Sequence, residues 1–338
     1  MDSRRIINTN TILLIAGVLL LGYLLAEVLL LVFAAIVLAV GLDGLARAIA
    51  ERSSVSRGWA LAGIALSILA ILATTIGLSA ARLVQQFRDL SVEVMEFVER
   101  AQSWLAEQGA FAMIDDLDTD EGSLAGAAGS VAEHAMTFGM SAVGALTSFA
   151  ILIVLTAFLA ANPNLYRRGV IRLVPPDARS KAEDTLSSLA HTLRWWFLGQ
   201  LVSMVVLGVS VGLGLFVLGI DLWLALAVLT ALLTFIPFIG PLIATVPIVA
   251  VGFSEGTQTG LIVLAGYIVI QNIEGTILVP MIQQKAVNLA PALLIAVQVL
   301  LSLVFGVVGL ILAAPLTVVA MVAVQKLWVE YTLGEKVT

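Results

Sequence analysis

Glu274 is a carboxylate inside an apolar segment, and its chemistry is the most unusual in the sequence. It lies within residues 258–280, a stretch long and apolar enough to cross a membrane. A carboxylate at such depth is costly and is usually retained for function or for pairing. It could carry a coupling proton or cation, or cap the start of a broken helix. Pairing with a base is disfavoured, because no Lys or Arg occurs in any predicted mid-membrane stretch.

Polar side chains near this carboxylate are candidates for substrate binding. Gln271 and Asn272 precede it within one helical turn, and Gln298 has a corresponding position in the last apolar stretch. Amides donate and accept hydrogen bonds together, which suits a neutral, hydroxylated molecule. Hydrogen bonding between helices is an equally good interpretation. Thr234 and Thr245 flank a proline-rich break upstream, where they could join the site or satisfy freed backbone groups.

Several chemistries are excluded or disfavoured by composition. The chain has no cysteine and only two histidines, so we expect no metal centre and no cofactor. A net charge of −6 makes nucleic-acid binding improbable. No Gly-x-x-x-x-Gly-Lys-Ser/Thr loop is present, so ATP drive would need another chain. No Ser–His pair, aspartate pair or zinc motif falls inside the apolar stretches, so we do not expect an enzyme.

The composition indicates an all-α polytopic membrane protein. The chain is 60% hydrophobic and 12% charged, with a mean hydropathy of +1.08, whereas a soluble domain is roughly 25% charged. Its partner is therefore the lipid bilayer, which only helices or closed barrels can cross. The eight apolar segments are 11–26, 28–42, 59–81, 137–161, 195–219, 221–253, 258–280 and 290–324.

These segments divide the chain into six predicted parts. They are N-terminal membrane helices (1–81), an external acidic helical insertion (82–136), a membrane helix (137–161), a basic cytoplasmic segment (162–194), a core with two broken-helix repeats (195–325) and a cytoplasmic tail (326–338). Within the basic segment, Pro175-Pro176-Asp177 predicts a helix that runs on toward Trp195. Glu27 and Asp43 lie near helix ends and are interpreted as structural.

Two of the apolar segments are interrupted by proline and glycine. The interrupting residues, which we predict to be hairpin tips or hinges, are Pro237, Gly240, Pro241 and Pro247 in the first, and Gly306, Gly309 and Pro315 in the second. Proline removes a backbone donor and disfavours helical geometry before it. Broken backbone in hydrocarbon is tolerated only where protein buries it or where it lines a wet cavity. Transporters hold substrates and ions at such breaks, although a kinked helix without a ligand is an alternative.

The charges predict an orientation. Most Lys and Arg lie in 1–10, 43–58 and 162–194, which places these segments and both termini in the cytoplasm and the insertion outside. If both broken segments spanned the membrane, Glu255 would lie inside and Lys285 outside, against this tendency. We therefore expect two re-entrant hairpins of inverted topology.

The insertion contains a heptad seam. Its apolar positions are Leu83, Phe87, Leu90, Val94, Phe97, Ala101 and Trp104. The seam either lies on its own domain or forms a subunit contact, and the second interpretation makes a homo-oligomer more probable than a monomer. The acidic run at 115–122 lacks the spacing of a calcium loop and is interpreted as solvated.

The motifs resemble the autoinducer-2 exporter family of membrane proteins. They are Phe235-Ile-Pro-Phe-Ile-Gly-Pro-Leu-Ile-Ala-Thr-Val-Pro247, Gln271-Asn-Ile-Glu-Gly-Thr-Ile-Leu-Val-Pro280, Asn288-Leu-Ala-Pro291, and Gly306-x-x-Gly309 with Pro315. The resemblance covers nearly the whole chain and implies a transporter of the prokaryotic inner membrane. Some members of the family are associated with export of autoinducer-2, and others with sodium–proton antiport.

Three functions follow from these observations as hypotheses. The leading one is a secondary transporter that exports a small polar organic molecule resembling autoinducer-2, coupled to a proton or cation through Glu274. The second is a sodium–proton antiporter, which a single deep carboxylate makes less attractive. The third is a passive channel or an oligomeric scaffold built on the heptad seam.

Overall fold

The computed structural model describes residues 25–64, 66–67, 85–86, 88–90, 92–97, 99–100, 103, 142–278, 280 and 290–335. Within these ranges every regular element is a helix. The helices are α1 (Ala26–Arg52), α2 (Ala142–Ala161), α3 (Pro163–Arg172), α4 (Arg179–Val217), α5 (Trp223–Thr234), α6 (Ile239–Ser254), α7 (Thr257–Ile273) and α8 (Pro291–Ala323). Short π-helical turns, Glu274–Leu278 and Val324–Glu330, follow α7 and α8. Helical residues also occur at 57–64 and between 85 and 103.

The described helices confirm an all-α membrane fold. Four helical stretches are long and apolar enough to cross a bilayer: Ala26–Arg52, Pro176–Val217, Thr257–Leu278 and Pro291–Glu330. A fifth candidate is the pair formed by α2 and α3, which is bent by 83°. Most of the first and third predicted segments lies outside the described residues, as do residues 137–141 of the fourth. The count of eight therefore stays a prediction.

Helix α4 is the central element. Its 39 residues make it about 58 Å long, nearly twice the thickness of a hydrocarbon core. Its apolar half packs against α1, α5, α7 and α8. The helix follows a 3₁₀ turn at Pro176–Ala178 and continues past Trp195, as the sequence predicts. The predicted domain division at 194/195 falls inside this one helix, and the division itself stays a prediction.

Small residues bring α4 and α5 into close contact. A Cβ atom at Gly208 would lie 2.8 Å from the Cβ of Ala231, and one at Gly212 would lie 2.7 Å from that of Ala227. Both distances are shorter than any real side-chain contact, so both positions require glycine while the helices stay this close. Small residues such as glycine and alanine, spaced by four positions, allow membrane helices to pack closely.

The hydrophobic core consists of two clusters. The first joins α4 to α7 and contains Val211, Leu215, Ile220, Leu226, Ala244, Ile248, Val251, Val263 and Tyr267. The second joins α1, α4 and α8 and contains Val37, Leu193, Trp196, Phe197, Leu294, Ala314 and Val318. Each cluster contains at least one arm of a broken segment. Gly240 and Gly309 are buried, whereas Gly306 and its neighbours Leu303 and Val307 are exposed.

The described part of the heptad seam packs on the chain's own core. Leu90 is buried in the first cluster and Val94 packs against it. Phe97 stacks on Phe253 with ring centroids 6.2 Å apart. These contacts favour the interpretation that the seam lies on its own domain. The other four positions of the seam and the acidic run at 115–122 lie outside the described residues.

Candidate functional site

The first broken segment turns between α5 and α6. Phe238 has a φ of 65°, and no other residue except glycine has a positive φ in the described part of the chain. Pro241 lies in the first turn of α6, where the missing N–H costs nothing. A Cβ at Gly240 would overlap the carbonyl oxygen of Leu233. The chain therefore needs glycine at position 240 to fold back this closely.

The second broken segment turns at Gly306, inside α8. This glycine has a φ of 60° and a ψ of −144°, which is not helical geometry. A Cβ at Gly309 would overlap the carbonyl oxygen of Leu301. Residues eight positions apart in a straight helix are separated by about 12 Å along the axis, so the chain must fold back at Gly306.

The predicted breaks are thus present, whereas two of the predicted hinge prolines lie elsewhere. Gly240 and Gly309 make the same close contact with a carbonyl of the preceding arm, which agrees with the similarity between the two sequence segments. Pro247 and Pro315 lie inside helices rather than at the turns. Their role as hinges stays a prediction.

The two broken segments pack at different levels along α4. The first begins at Asp221 and ends near Phe253. Asp221 O accepts a hydrogen bond of 3.0 Å from Gln86 Nε2, and Phe253 stacks on Phe97. Residues 86 and 97 belong to one short stretch, so both ends of this segment lie on the same side of the molecule.

The second broken segment packs against the N-terminal half of α4. Leu294 in its first arm and Val318 in its second arm both pack in the cluster that contains Leu193 of α4. Beyond its second arm, Lys326 Nζ lies 3.0 Å from a carboxylate oxygen of Asp184. Tyr331 donates a hydrogen bond of 2.7 Å to the same oxygen.

Side chains satisfy the carbonyl groups at the first turn. Gln298 Nε2 donates to Pro237 O at 2.9 Å, and Gln200 Nε2 donates to Thr234 O. The Tyr267 hydroxyl donates to Pro241 O at 2.7 Å. Pro241 has no N–H to donate to Pro237 O, its acceptor in a regular helix, so the Gln298 amide and the Ile239 N–H supply the donors there.

Three of the predicted substrate residues have structural contacts at or near this turn. Thr234 Oγ1 donates to Thr230 O at 2.6 Å, and Thr245 Oγ1 donates to Pro241 O at 3.0 Å. Gln298 is fully buried and holds Pro237, while its Oε1 has no hydrogen-bond partner among the described residues. Backbone satisfaction, the alternative left open for the threonines, is what these contacts favour.

Glu274 lies at the first position of the π-helical turn that follows α7. π-turns within helices are frequent at functional sites. The carboxylate is half-buried and lies near the hydroxyl of Ser203, a buried residue of α4. Among the described residues Glu274 forms no salt bridge, as expected for a segment without basic residues.

Glu274 belongs to a polar face of α7. Tyr267, Gln271 and Glu274 are spaced by four and three residues, which places them on one side of the helix. The Gln271 side chain lies beside the Tyr267 hydroxyl. Its amide nitrogen is buried and has no hydrogen-bond partner within the described ranges. The face therefore offers a carboxylate, a free amide donor and two hydroxyl groups, counting Ser203.

One predicted residue is not part of this face, and two members of it were missed. Asn272 is exposed, and its Nδ2 donates to Ile268 O of its own helix at 2.7 Å. Ser203 and Tyr267 were not predicted, although each is a polar residue in an apolar run. In the described ranges no group of three or more His, Asp or Glu residues could hold a metal ion.

Two broken segments that contact each other through Gln298 and Pro237, together with a carboxylate inside a candidate membrane span, are typical of membrane transport proteins. Comparison with known sequences agrees. The model of the family described as AI-2E family transporter matches residues 11–328, and the chain belongs to this family. It is therefore a multi-pass membrane protein of a transport family.

Individual relatives match over part of their length. YueF of Bacillus subtilis, an inferred transport protein, is 25% identical over 53% of this chain and 50% of its own. A Thermotoga maritima protein described in the same way is 25% identical over 61% of this chain and 63% of its own. The AI-2 transport protein TqsA of Escherichia coli is 36% identical over 28% of each chain. The chain thus spans about half the length of the curated relatives it matches.

Proposed function

We propose that the protein is a secondary transporter that exports a small, neutral, polar organic molecule, coupled to a proton or cation at Glu274. The observation that carries this proposal is the half-buried carboxylate of Glu274, near Ser203 and one turn from Gln271, inside a candidate membrane span. It forms no salt bridge with any described residue. An ionisable residue in such a position is usually functional. The carboxylate binds the coupling ion, and the amide of Gln271 binds the organic molecule.

A molecule resembling autoinducer-2 is the first substrate to test. The relative TqsA is named as a transporter of AI-2. A neutral, hydroxylated molecule would complement groups that donate and accept hydrogen bonds, and Gln271 Nε2 is a buried donor without a partner in the described part of the chain. An unpaired buried donor favours a ligand that supplies an acceptor.

The proposed architecture contains two re-entrant hairpins that enter from opposite sides. In support, α5 has 12 residues and is about 18 Å long, too short to cross a core of about 30 Å. Both ends of the first segment contact the insertion, at residues 86 and 97. Both arms of the second segment pack near Leu193. The hairpin tips then lie within the membrane.

The proposed orientation has both termini in the cytoplasm and the insertion outside, in the inner membrane of a prokaryote. The basic segment 162–194 supports it through the positive-inside tendency. In this orientation the first hairpin enters from outside and the second from the cytoplasm. A homo-oligomer remains part of the proposal, although the described contacts of the seam are made within one chain.

Flux into proteoliposomes tests the proposal. Labelled autoinducer-2 and sodium are measured under an imposed pH gradient, for the wild type and for Glu274→Gln. We expect gradient-dependent organic flux that Glu274→Gln abolishes while the variant folds normally. Glu255→Gln is the matched control, because Glu255 is an exposed carboxylate at the start of the turn between α6 and α7. Its flux should equal that of the wild type.

The same assay separates the other functions. Sodium flux without organic flux would support an antiporter. Organic flux that rises linearly with concentration and ignores the gradient would indicate a passive channel. Wild-type coupled flux in Glu274→Gln would remove this carboxylate from the mechanism.

A further inference from the structure

A second cluster of charged residues surrounds Asp43, far along the sequence from the Glu274 site. Asp43 is only 5% exposed. Its carboxylate accepts from Arg47 Nε at 2.9 Å and from Arg57 Nε at 2.6 Å, and Arg194 Nη2 lies 3.5 Å away. Arg57 also donates to Ala160 O at the end of α2, at 2.7 Å. The polar ends of α1, α2, α4 and the stretch 57–64 therefore meet here.

The arginines exceed the carboxylates in this cluster. Three guanidinium groups contact one carboxylate. Glu51, in the last turn of α1, lies close enough to Arg194 to interact electrostatically with it. Among the described residues, the three arginines therefore outnumber the two carboxylates by one positive charge. The Nε of Arg194 is buried and has no hydrogen-bond partner among the described residues. Partly buried charges and donors without partners are costly, so this cluster favours an anionic ligand.

The helix packing makes room for the Arg194 side chain. A Cβ at Gly44 would lie 2.5 Å from Arg194 Cγ, so this side chain can lie against α1 only because position 44 is glycine. One turn earlier, Gly41 makes the same space for Phe197. The guanidinium of Arg194 is thus held at a fixed place beside α1.

The cluster lies at the boundary between the apolar and polar parts of the bundle. Arg194 directly precedes the tryptophans of α4, and Trp59 follows Arg57 by two residues and is 77% exposed. Tryptophans concentrate at the level of lipid headgroups. Apolar side chains also remain exposed on the apolar side of the cluster, including Ile36 of α1 and Phe158 of α2.

We propose that Arg47, Arg57 and Arg194 form a binding site for the phosphate of an anionic phospholipid. The planar fork of arginine matches phosphate oxygens, and anionic lipids attract basic groups at the membrane surface. The acyl chains then cover the exposed apolar side chains of α1 and α2. A bound lipid would link three helices that are distant in sequence, and the site is independent of the transport proposal.

Lipid binding by the full-length purified protein tests this site. Native mass spectrometry compares phosphatidylglycerol with phosphatidylcholine of identical acyl chains. We expect the wild type to retain phosphatidylglycerol in preference. Arg47→Gln removes the most exposed guanidinium and leaves Arg57 and Arg194 on Asp43. Its affinity for phosphatidylglycerol should fall about fivefold, because one basic group near a membrane surface contributes about 1 kcal/mol.

Two further variants distinguish lipid binding at a specific site from non-specific electrostatic attraction to the protein. Arg172→Gln removes an exposed arginine of α3, outside the cluster, and should leave lipid binding unchanged. Arg47→Lys keeps the charge without the fork and should bind less phosphatidylglycerol than the wild type but more than Arg47→Gln, because charge and fork geometry both contribute. Equal retention of the two lipids, or equal losses in Arg47→Gln and Arg172→Gln, would overturn the proposal. Calorimetric binding of inorganic phosphate that displaces phosphatidylglycerol would reassign the site to a soluble anion.

Discussion

At the scale of single residues, the environment of Glu274 explains how a carboxylate is tolerated inside the bundle. The π-helical turn ends the regular face of α7, and the hydroxyl of Ser203 of α4 lies near the carboxylate. Hydrogen bonds to a charged group are stronger than those between neutral groups. Ser203 is buried and lies on the central helix, so packing fixes the position of its hydroxyl.

Replacing this serine gives a prediction about transport. Ser203→Ala removes the hydroxyl with little change in volume, so the fold should be retained. Flux should fall about tenfold, because a hydrogen bond to a charged group contributes about 1.5–3 kcal/mol. Proteoliposome flux measures the effect, and thermal unfolding reports the fold. Ser302→Ala is the control, since Ser302 is exposed and bonds only to Val299 O among the described residues. Undiminished flux in Ser203→Ala would show that the Ser203 hydroxyl does not contribute to transport.

At the scale of elements, the close approach of the hairpin arms depends on single glycines. Gly240 contacts the carbonyl of Leu233, and an added methyl group would overlap it. We expect Gly240→Ala to lower the free energy of unfolding by about 1–3 kcal/mol, as overpacking of a core typically does. Gly266→Ala is the matched control, because nothing lies within 4 Å of a Cβ at that helical position. Chemical denaturation in detergent measures both variants, and equal stabilities would contradict the close contact.

The inverted topology of the two hairpins is open to a direct test. The chain contains no cysteine, so single cysteines can be labelled without background. Glu255→Cys should react with impermeant maleimide from outside, and Lys285→Cys only from the cytoplasm. Residue 285 lies outside the described residues, but the packing of Leu294 near Leu193 supports its expected side. Labelling of Lys285→Cys only from outside would mean that the second segment spans the membrane.

At the scale of the whole molecule, the sequence predicts the class of fold and the positions of the breaks for definite physical reasons. Hydropathy identifies apolar helices, and proline and glycine mark where helical backbone fails. Pairing between distant residues leaves no such local signal. Gln298 and Pro237 are 61 residues apart, and Asp43 and Arg194 are 151 apart. For this reason the sequence does not reveal that Gln298 contacts the other broken segment or that Asp43 binds three arginines. Substrate binding by Gln298 stays a prediction.

The contact between the two broken segments gives the last prediction, which concerns the whole transport cycle. The Gln298 amide of the second segment donates a hydrogen bond to Pro237 O at the tip of the first. The Gln200 amide of α4 donates to Thr234 O, three residues earlier. If alternating access separates the tips, linking them must stop it. A cysteine pair at positions 237 and 298 should therefore abolish flux when oxidised and recover it on reduction. A pair at 97 and 253, which joins the insertion to α6, is the control and should leave flux intact. Full transport by the oxidised 237–298 pair would show that the hairpins move as one body, and access would then have to change elsewhere.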